Sequence, residues 1–198
     1  MVLSATRPEN QIKTSAKPER LYSSAEFEAM VEFEERYELI EGKVVKKAVP
    51  GLEHAEIANF IKERYTLFDP EKKLGKMLLD VSTKIGPRDT PLPDLSFWTA
   101  ARQPTRTAGA APMPDLAVEV LSPRDKASKK RREEVQAKIR RYQVAGVSLI
   151  WLIDPALKQI EVYRPGQLDP SQVLAIGDEL DGEDLIPGFK ITLNDLFN

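Results

Sequence analysis

The chain has 198 residues, 41% hydrophobic and 30% charged, with a formal net charge of −2; this suits one soluble domain with its own core better than two small ones. No apolar run approaches the ~20 residues needed to span a bilayer, and the polar, proline-containing start of the chain lacks the apolar stretch of a secretory signal. Cysteine is absent and His54 is the single histidine, which excludes disulfides, thiolate metal sites and a multi-histidine zinc site within one chain, and fits a cytoplasmic protein.

Residues 1–20 are expected to be a mobile tail ahead of one domain over 21–198. Residues 23–35 predict a short helix capped by Ser23 or Ser24. Residues 36–49 predict a hairpin, with Tyr37, Leu39 and Ile40 in one strand, Glu41-Gly42 at the turn and Val44-Val45 opening the next. Residues 53–68 have helical periodicity, with Ile57, Ile61 and Tyr65 on one face and Pro70 as a stop. Residues 75–85 read as one strand, 86–89 as a turn and 93–99 as a strand. The Ala-, Thr- and Pro-rich segment 99–114 reads as a surface loop. Residues 115–121 form a further strand, and 126–145 a long helix with Val135, Ile139 and Tyr142 on its apolar face, closed by Gly146. Residues 148–153 make a buried strand and 159–163 another. Short strands are expected around 173–176 and 190–193, before a terminal turn at 194–197. A strand, a crossover helix and a following strand imply a parallel pair, whereas hairpins imply antiparallel neighbours. The expected fold is therefore α/β (α+β), a mixed central sheet flanked by helices with an extra N-terminal hairpin.

Two of these strands carry a carboxylate in apolar surroundings: Asp94 in Pro93–Trp98 and Glu119 in Ala117–Leu121. A buried ionised carboxylate is costly unless it is paired or bound to a metal. The pattern suggests that Asp94 and Glu119 meet over a cation, as a metal-dependent phosphodiesterase requires. With no thiolate and one imidazole, that metal must rely on oxygen donors, which favour Mg²⁺ or Mn²⁺. Asp115 shares the Pro-Asp-Leu pattern but lies ~13 Å from Glu119 along an extended strand, so it is expected to be structural or to support the site from behind its ligands. Asp125 is placed to cap the long helix or to orient a Lys or Arg in the loop, and Trp98 and Trp151 to fill the core. Charge is segregated: residues 124–141 hold nine Lys or Arg against three acids, a local +6, and residues 166–198 hold seven acids against one Lys, a local −6. The basic block either faces phosphates or is a solvated helix face.

The segment order, with YELIEGKVV (37–45), His54 at a helix start, LPDLSFW (92–98), PDLAVEVLSPRD (114–125), KIRRYQVAGVSLIWLIDP (138–155) and LIPGFKITLNDLF (185–197), resembles the PD-(D/E)XK nuclease superfamily and, within it, the Uma-two family. The resemblance covers about residues 22–197. It implies a restriction-endonuclease-like fold and Mg²⁺-dependent hydrolysis of nucleic acid phosphodiesters, DNA foremost, with Asp94 and Glu119 as metal ligands. The chain departs from the superfamily pattern at Leu121, which stands where the lysine is expected. The resemblance transfers that role to Lys138 on the next helix, and it leaves His54 to contact phosphate or assist a water. A homodimer whose basic helices line one groove would suit cleavage of both strands. The alternative is a catalytically silent module on the same fold that binds nucleic acid or a protein; Leu121 and the acidic C-terminal part favour it.

Overall fold

The structure, a computed structural model, describes residues 20–30, 36–105, 109–122 and 129–198. In chain order its elements are α1 (Ser24–Met30), β1 (Tyr37–Ile40), β2 (Lys43–Lys46), α2 (Leu52–Phe68), β3 (Gly75–Leu79), β4 (Thr83–Lys84), β5 (Leu95–Thr99), a 3₁₀ turn (Ala100–Arg102), β6 (Ala111–Pro112), β7 (Leu116–Val120), α3 (Lys129–Ala145), β8 (Leu149–Asp154), β9 (Gln159–Tyr163), β10 (Gln172–Leu174), β11 (Glu179–Asp181), β12 (Lys190–Thr192) and α4 (Leu193–Leu196). Among the described residues no helix is long and apolar enough to cross a membrane.

The central sheet runs β10-β9-β8-β7-β5-β3. Only β7 and β8 are parallel, joined through α3; every other pairing in this sheet is antiparallel. The expected mixed sheet is thus present. Its middle strands are apolar on both faces because both faces are covered. Leu116, Val118 and Val120 of β7, with Trp151 and Ile153 of β8, join Ile57, Ile61 and Tyr65 of α2 and Leu193 and Leu196 of α4 in one core. The alternate residues Ala117, Ile150 and Leu152 pack beneath Ile139 and Tyr142 of α3. Side-chain alternation along a strand therefore decides which helix each residue meets.

Three local expectations change and a fourth is narrowed. The strand expected over 75–85 breaks at Asp80, whose φ of 47° lies in the left-handed region that Asp tolerates. Its N–H donates to Asp94 O at 3.2 Å and its carboxylate pairs with Arg36 at 2.7 Å. The chain leaves the main sheet there, and β4 instead pairs in parallel with β6. Segment 99–114 is consequently more than a surface loop: Ala111 is buried, and Trp98 Nε1 donates to Pro112 O at 3.0 Å. Residues 106–108 of it lie outside the described residues. Strand β11 was not expected, because only Leu180 between its two acids is apolar; it pairs with β12. The first helix is capped by Ser23 and not Ser24: Ser23 Oγ accepts the Glu26 N–H at 3.2 Å while Glu26 Oε2 accepts the Ser23 N–H at 2.8 Å, a reciprocal capping box. Residues 1–19, 31–35 and the first turn expected for the long helix, with Asp125, lie outside the described residues; Arg20, at the end of the expected tail, pairs with Glu26 at 3.3 Å.

The hairpin β1–β2 stands apart from the central sheet but is tied to it. Leu39 and Thr90 exchange backbone hydrogen bonds of 3.0 and 2.8 Å, and Leu39 is fully buried. At the far end, Asp69 terminates α2 and organises the turn into β3. Its carboxylate accepts the Tyr65 hydroxyl at 2.9 Å and the N–H groups of Lys73 and Leu74 at 2.9 and 2.8 Å. Burial pushes the Asp69 carboxyl up, but these donors outweigh it and hold its pKa below the ordinary value. We expect Asp69→Ala to cost about 2–3 kcal/mol at neutral pH in urea titrations, since it leaves buried donors unpaired. Because the folded pKa is the lower one, this stabilisation is full above the unfolded value of about 3.9 and is lost as pH falls through the folded value. The gap between wild type and variant should accordingly close in acid.

Candidate active site

Strand register brings Asp94 and Glu119 together. β5 and β7 run antiparallel with Leu95 against Val118, and one further step sets Asp94 opposite Glu119. Leu95 and Val118 both enter the α2-side core, so the adjacent Asp94 and Glu119 turn to the α3 face. Like charges placed opposite each other across a sheet repel. Both residues are nevertheless buried, Asp94 at 3% and Glu119 at 9% exposure, so the surroundings must hold the charge.

They do so with two ammonium groups. Lys47 Nζ lies 2.7 Å from Asp94 Oδ1 and 4.0 Å from Glu119 Oε2. Lys138 Nζ lies 2.7 Å from Glu119 Oε1 and 2.6 Å from Glu38 Oε1. His54 Nε2 lies 3.0 Å from Asp94 Oδ1, while its Nδ1 is buried with no hydrogen-bond partner among the described residues. Three neutral donors orient the acids: the Val120 N–H on Asp94 Oδ2 at 2.7 Å, the Tyr142 hydroxyl on Glu119 Oε1 at 2.7 Å, and the Leu92 N–H on Glu38 Oε1 at 2.9 Å.

Each side chain arrives by a distinct route. His54 comes from the first turn of α2 and Lys138 from the face of α3, one helical turn before buried Tyr142. Glu38 and Lys47 come from the hairpin. Arg141 of α3 reinforces that docking through Glu41, at 2.6 Å, and Asp89, at 3.4 Å. Leu121, in the position where a lysine would follow Glu119, packs against the α3-side core instead.

The four residues singled out in the sequence, His54, Asp94, Glu119 and Lys138, therefore meet at one place. Sequence reasoning missed Glu38 and Lys47. Glu38 carries the same signal as Glu119, an acid within an apolar strand, in a hairpin strand for which only Tyr37, Leu39 and Ile40 were singled out. Both faces of β1 are covered there: Leu39 is 0% and Glu38 8% exposed. Lys47 follows Lys46 and gave no signal beyond a solvated pair. Asp115 takes the structural role expected: it accepts from Thr99 N at 2.8 Å and Thr99 Oγ1 at 2.9 Å and pairs with Arg102. Trp98 and Trp151 are fully buried in the core. Two glutamates offset part of the described basic stretch, through Lys129–Glu133 at 3.8 Å, Lys130–Glu134 at 3.9 Å and Arg131–Glu134 at 2.9 Å.

The charges do not balance. Three carboxylates face two ammoniums before any proton is placed on His54. Burial pushes the Asp94 carboxyl up, yet Lys47 and His54 outweigh it and leave its pKa well below the ordinary range. Glu38 is held down in the same way, with Lys138 and Lys47 outweighing burial. Glu119 goes the other way: burial, reinforced by Asp94 and Glu38, exceeds the pull of Lys138 and Lys47 and raises its pKa. Burial would lower the Lys138 pKa, but Glu119 and Glu38 raise it above the ordinary lysine value. The Tyr142 hydroxyl is pushed far up by burial and by Glu119, so it stays a donor.

Glu119 is therefore the anion least compensated, and among the described residues the ion pair of its Oε2 is a long one, Lys47 at 4.0 Å. Among the described residues no group of three or more His, Asp or Glu forms a ready metal cage. A hard cation such as Mg²⁺ uses one or two carboxylates and keeps several waters, so the residues present fit it: Asp94 and Glu119 offer oxygen donors and an uncompensated negative charge.

Comparison with known proteins gives a consistent picture. The profile of the Uma2 family, described as "Putative restriction endonuclease", matches residues 24–194. Among solved structures, a "putative nuclease belonging to DUF820" from Anabaena variabilis ATCC 29413 is similar at 25% identity and a TM-score of 0.74, covering 88% of this chain and 97% of that one. No curated protein matches.

The buried network makes a prediction independent of activity. Lys138→Met should destabilise the protein by about 3–5 kcal/mol at neutral pH, because it strands buried carboxylates. Adding Glu119→Gln should recover a large part of that loss. A double-mutant cycle in urea that shows simple additivity would contradict the coupling.

Proposed function

The chain belongs to the Uma2 family, and from that premise we propose that it is an Mg²⁺-dependent endonuclease hydrolysing phosphodiester bonds of DNA. The observation that carries this reading is the buried pair Asp94 and Glu119, set opposite each other by strand register with a net negative charge left over beside two lysines. Asp94 and Glu119 would hold the cation. When bound, Mg²⁺ neutralises a scissile phosphate and lowers the pKa of a bound water.

The chain's own residues then have separable tasks. Tyr142 and the Val120 N–H hold the two carboxylates in orientation. Glu38 anchors the Lys138 ammonium beside Glu119; from there Lys138 can orient a water or stabilise charge developing on the phosphoryl oxygens. Lys47 supplies a second ammonium on the Asp94 side. His54, fixed to Asp94 through Nε2, is placed to contact the phosphate or to accept a proton from water at its free Nδ1. The N–H groups at the start of α2 favour an anion in the same place. Cleavage of both strands of a duplex would be served by a homodimer.

One observation favours a second reading, a catalytically silent module that binds nucleic acid or a protein. Lys47 and Lys138 already sit on the carboxylate oxygens that a cation would take.

Incubating the purified chain with plasmid DNA and Mg²⁺ or Mn²⁺ separates the two. On the endonuclease reading the wild type nicks or linearises DNA, and Asp94→Asn or Glu119→Gln each lowers the rate at least about 100-fold, with calorimetric Mn²⁺ binding lost in Glu119→Gln. DNA retention without cleavage under every metal condition selects the silent module. Lys138→Arg should retain less than about a tenth of the activity, since a planar fork does not reproduce a compact ammonium held between two carboxylates.

A further inference from the structure

At the C-terminal end of α2, three lysines share one cleft. Lys62, Lys72 and Lys76 line it together with Tyr65, Thr66 and Asp69, over a floor of β3, with about 320 Å³ of empty space including the open mouth. Lys62 Nζ donates to Thr66 Oγ1 at 2.7 Å. Among the described residues none of the three lysines forms an ion pair with a carboxylate, whereas Lys73 next door pairs with Glu71 at 2.7 Å. Asp69 is the one acid in the lining, and its oxygens are already engaged by Tyr65, Lys73 and Leu74. Burial and the neighbouring Lys72 ammonium both depress the Lys62 pKa. Like charges gathered around a partly enclosed space repel, and a bound anion relieves that repulsion. The Thr66 and Tyr65 hydroxyls are committed to Lys62 O and Asp69 Oδ2, so the donors left for a ligand are the lysine ammoniums, which bind phosphate as point charges.

We propose that this cleft is a phosphate-binding site, separate from the carboxylate centre, that takes a backbone phosphate of the nucleic acid. The phosphate chemistry stands on the cleft itself; its source in a nucleic acid rests on the nuclease reading. The spacing is compatible. Lys62 lies eight residues along α2 from His54, or ~12 Å at 1.5 Å per residue. Lys76 on edge strand β3 pairs with Trp98, four residues beyond Asp94, or ~13 Å along the strand. At ~3.4 Å per nucleotide, a strand whose reacting phosphate faces Asp94 and Glu119 reaches the cleft about four nucleotides away.

Two measurements on the full chain test this. In the first, backbone ¹H–¹⁵N NMR signals are followed during titration with inorganic phosphate, in the wild type and in the combined variant Lys62→Gln, Lys72→Gln, Lys76→Gln. Saturable shifts clustered over residues 62–78 are expected in the wild type and not in the variant. A wild-type response without saturation, or one unchanged in the variant, overturns the site. In the second, binding of a short DNA duplex is measured against salt with Ca²⁺ replacing Mg²⁺. The variant should lose affinity for all sequences alike, and its slope of log K against log salt should be shallower by about 0.9 for each phosphate contact removed. Phosphate shifts with an unchanged DNA slope assign the cleft to free phosphate and overturn the nucleic-acid source. Asp94→Asn should leave the phosphate shifts over residues 62–78 in place whether or not the wild type cleaves, so failure of the nuclease reading and failure of the cleft give different results.

Discussion

Three carboxylates are buried within a few ångströms of one another, and much of the surrounding structure serves to keep them charged. Glu38, Asp94 and Glu119 would be prohibitively costly as isolated anions in an apolar interior. Lys47 and Lys138 each bridge two of them, and backbone N–H groups take up remaining lone pairs. Ion pairs as buried as these contribute little net stability over a well-packed apolar core.

The fold supplies the constraint through three independent attachments. Antiparallel register places two of the acids opposite each other at one end of the sheet. The β7-α3-β8 crossover lays α3 over that same face, so that Tyr142 and Lys138 descend on Glu119 from above. The hairpin, secured at Leu39 and Thr90 and by Arg141, closes the third side with Glu38 and Lys47. Displacing any one of these elements would leave a buried charge without its partner, so the site and the packing of the domain are mutually dependent.

Much of the fold was legible in the residues. Apolar runs with flanking turn chemistry placed β5, β7, β8 and β9, and helical periodicity placed α2 and α3. The misreadings have local physical causes. A single left-handed Asp80 ends β3, and nothing in the run of apolar residues before it announces the break. Strand β11 has one inward residue, too little for an alternation pattern. Asp94 and Glu119 stood out because a carboxylate in an apolar strand demands an explanation. Glu38 sent the same signal, but its four-residue strand is short and its burial depends on how the hairpin docks.

From the sequence alone come the mixed sheet with its crossover helix, the exclusion of disulfides and thiolate sites through the absence of cysteine, and the pairing of Asp94 with Glu119. These follow from composition, periodicity and the cost of buried charge, all of which are local or additive properties of the chain. Tertiary structure alone decided that Glu38 and Lys47 belong to the same cluster, that Lys138 reaches Glu119 at 2.7 Å while Leu121 turns into the core, and that three lysines gather at the far end of α2. Those facts depend on how a hairpin, a helix and a sheet are docked, and docking joins residues 100 positions apart, as in the Glu38–Lys138 bond, across distances that no local pattern records.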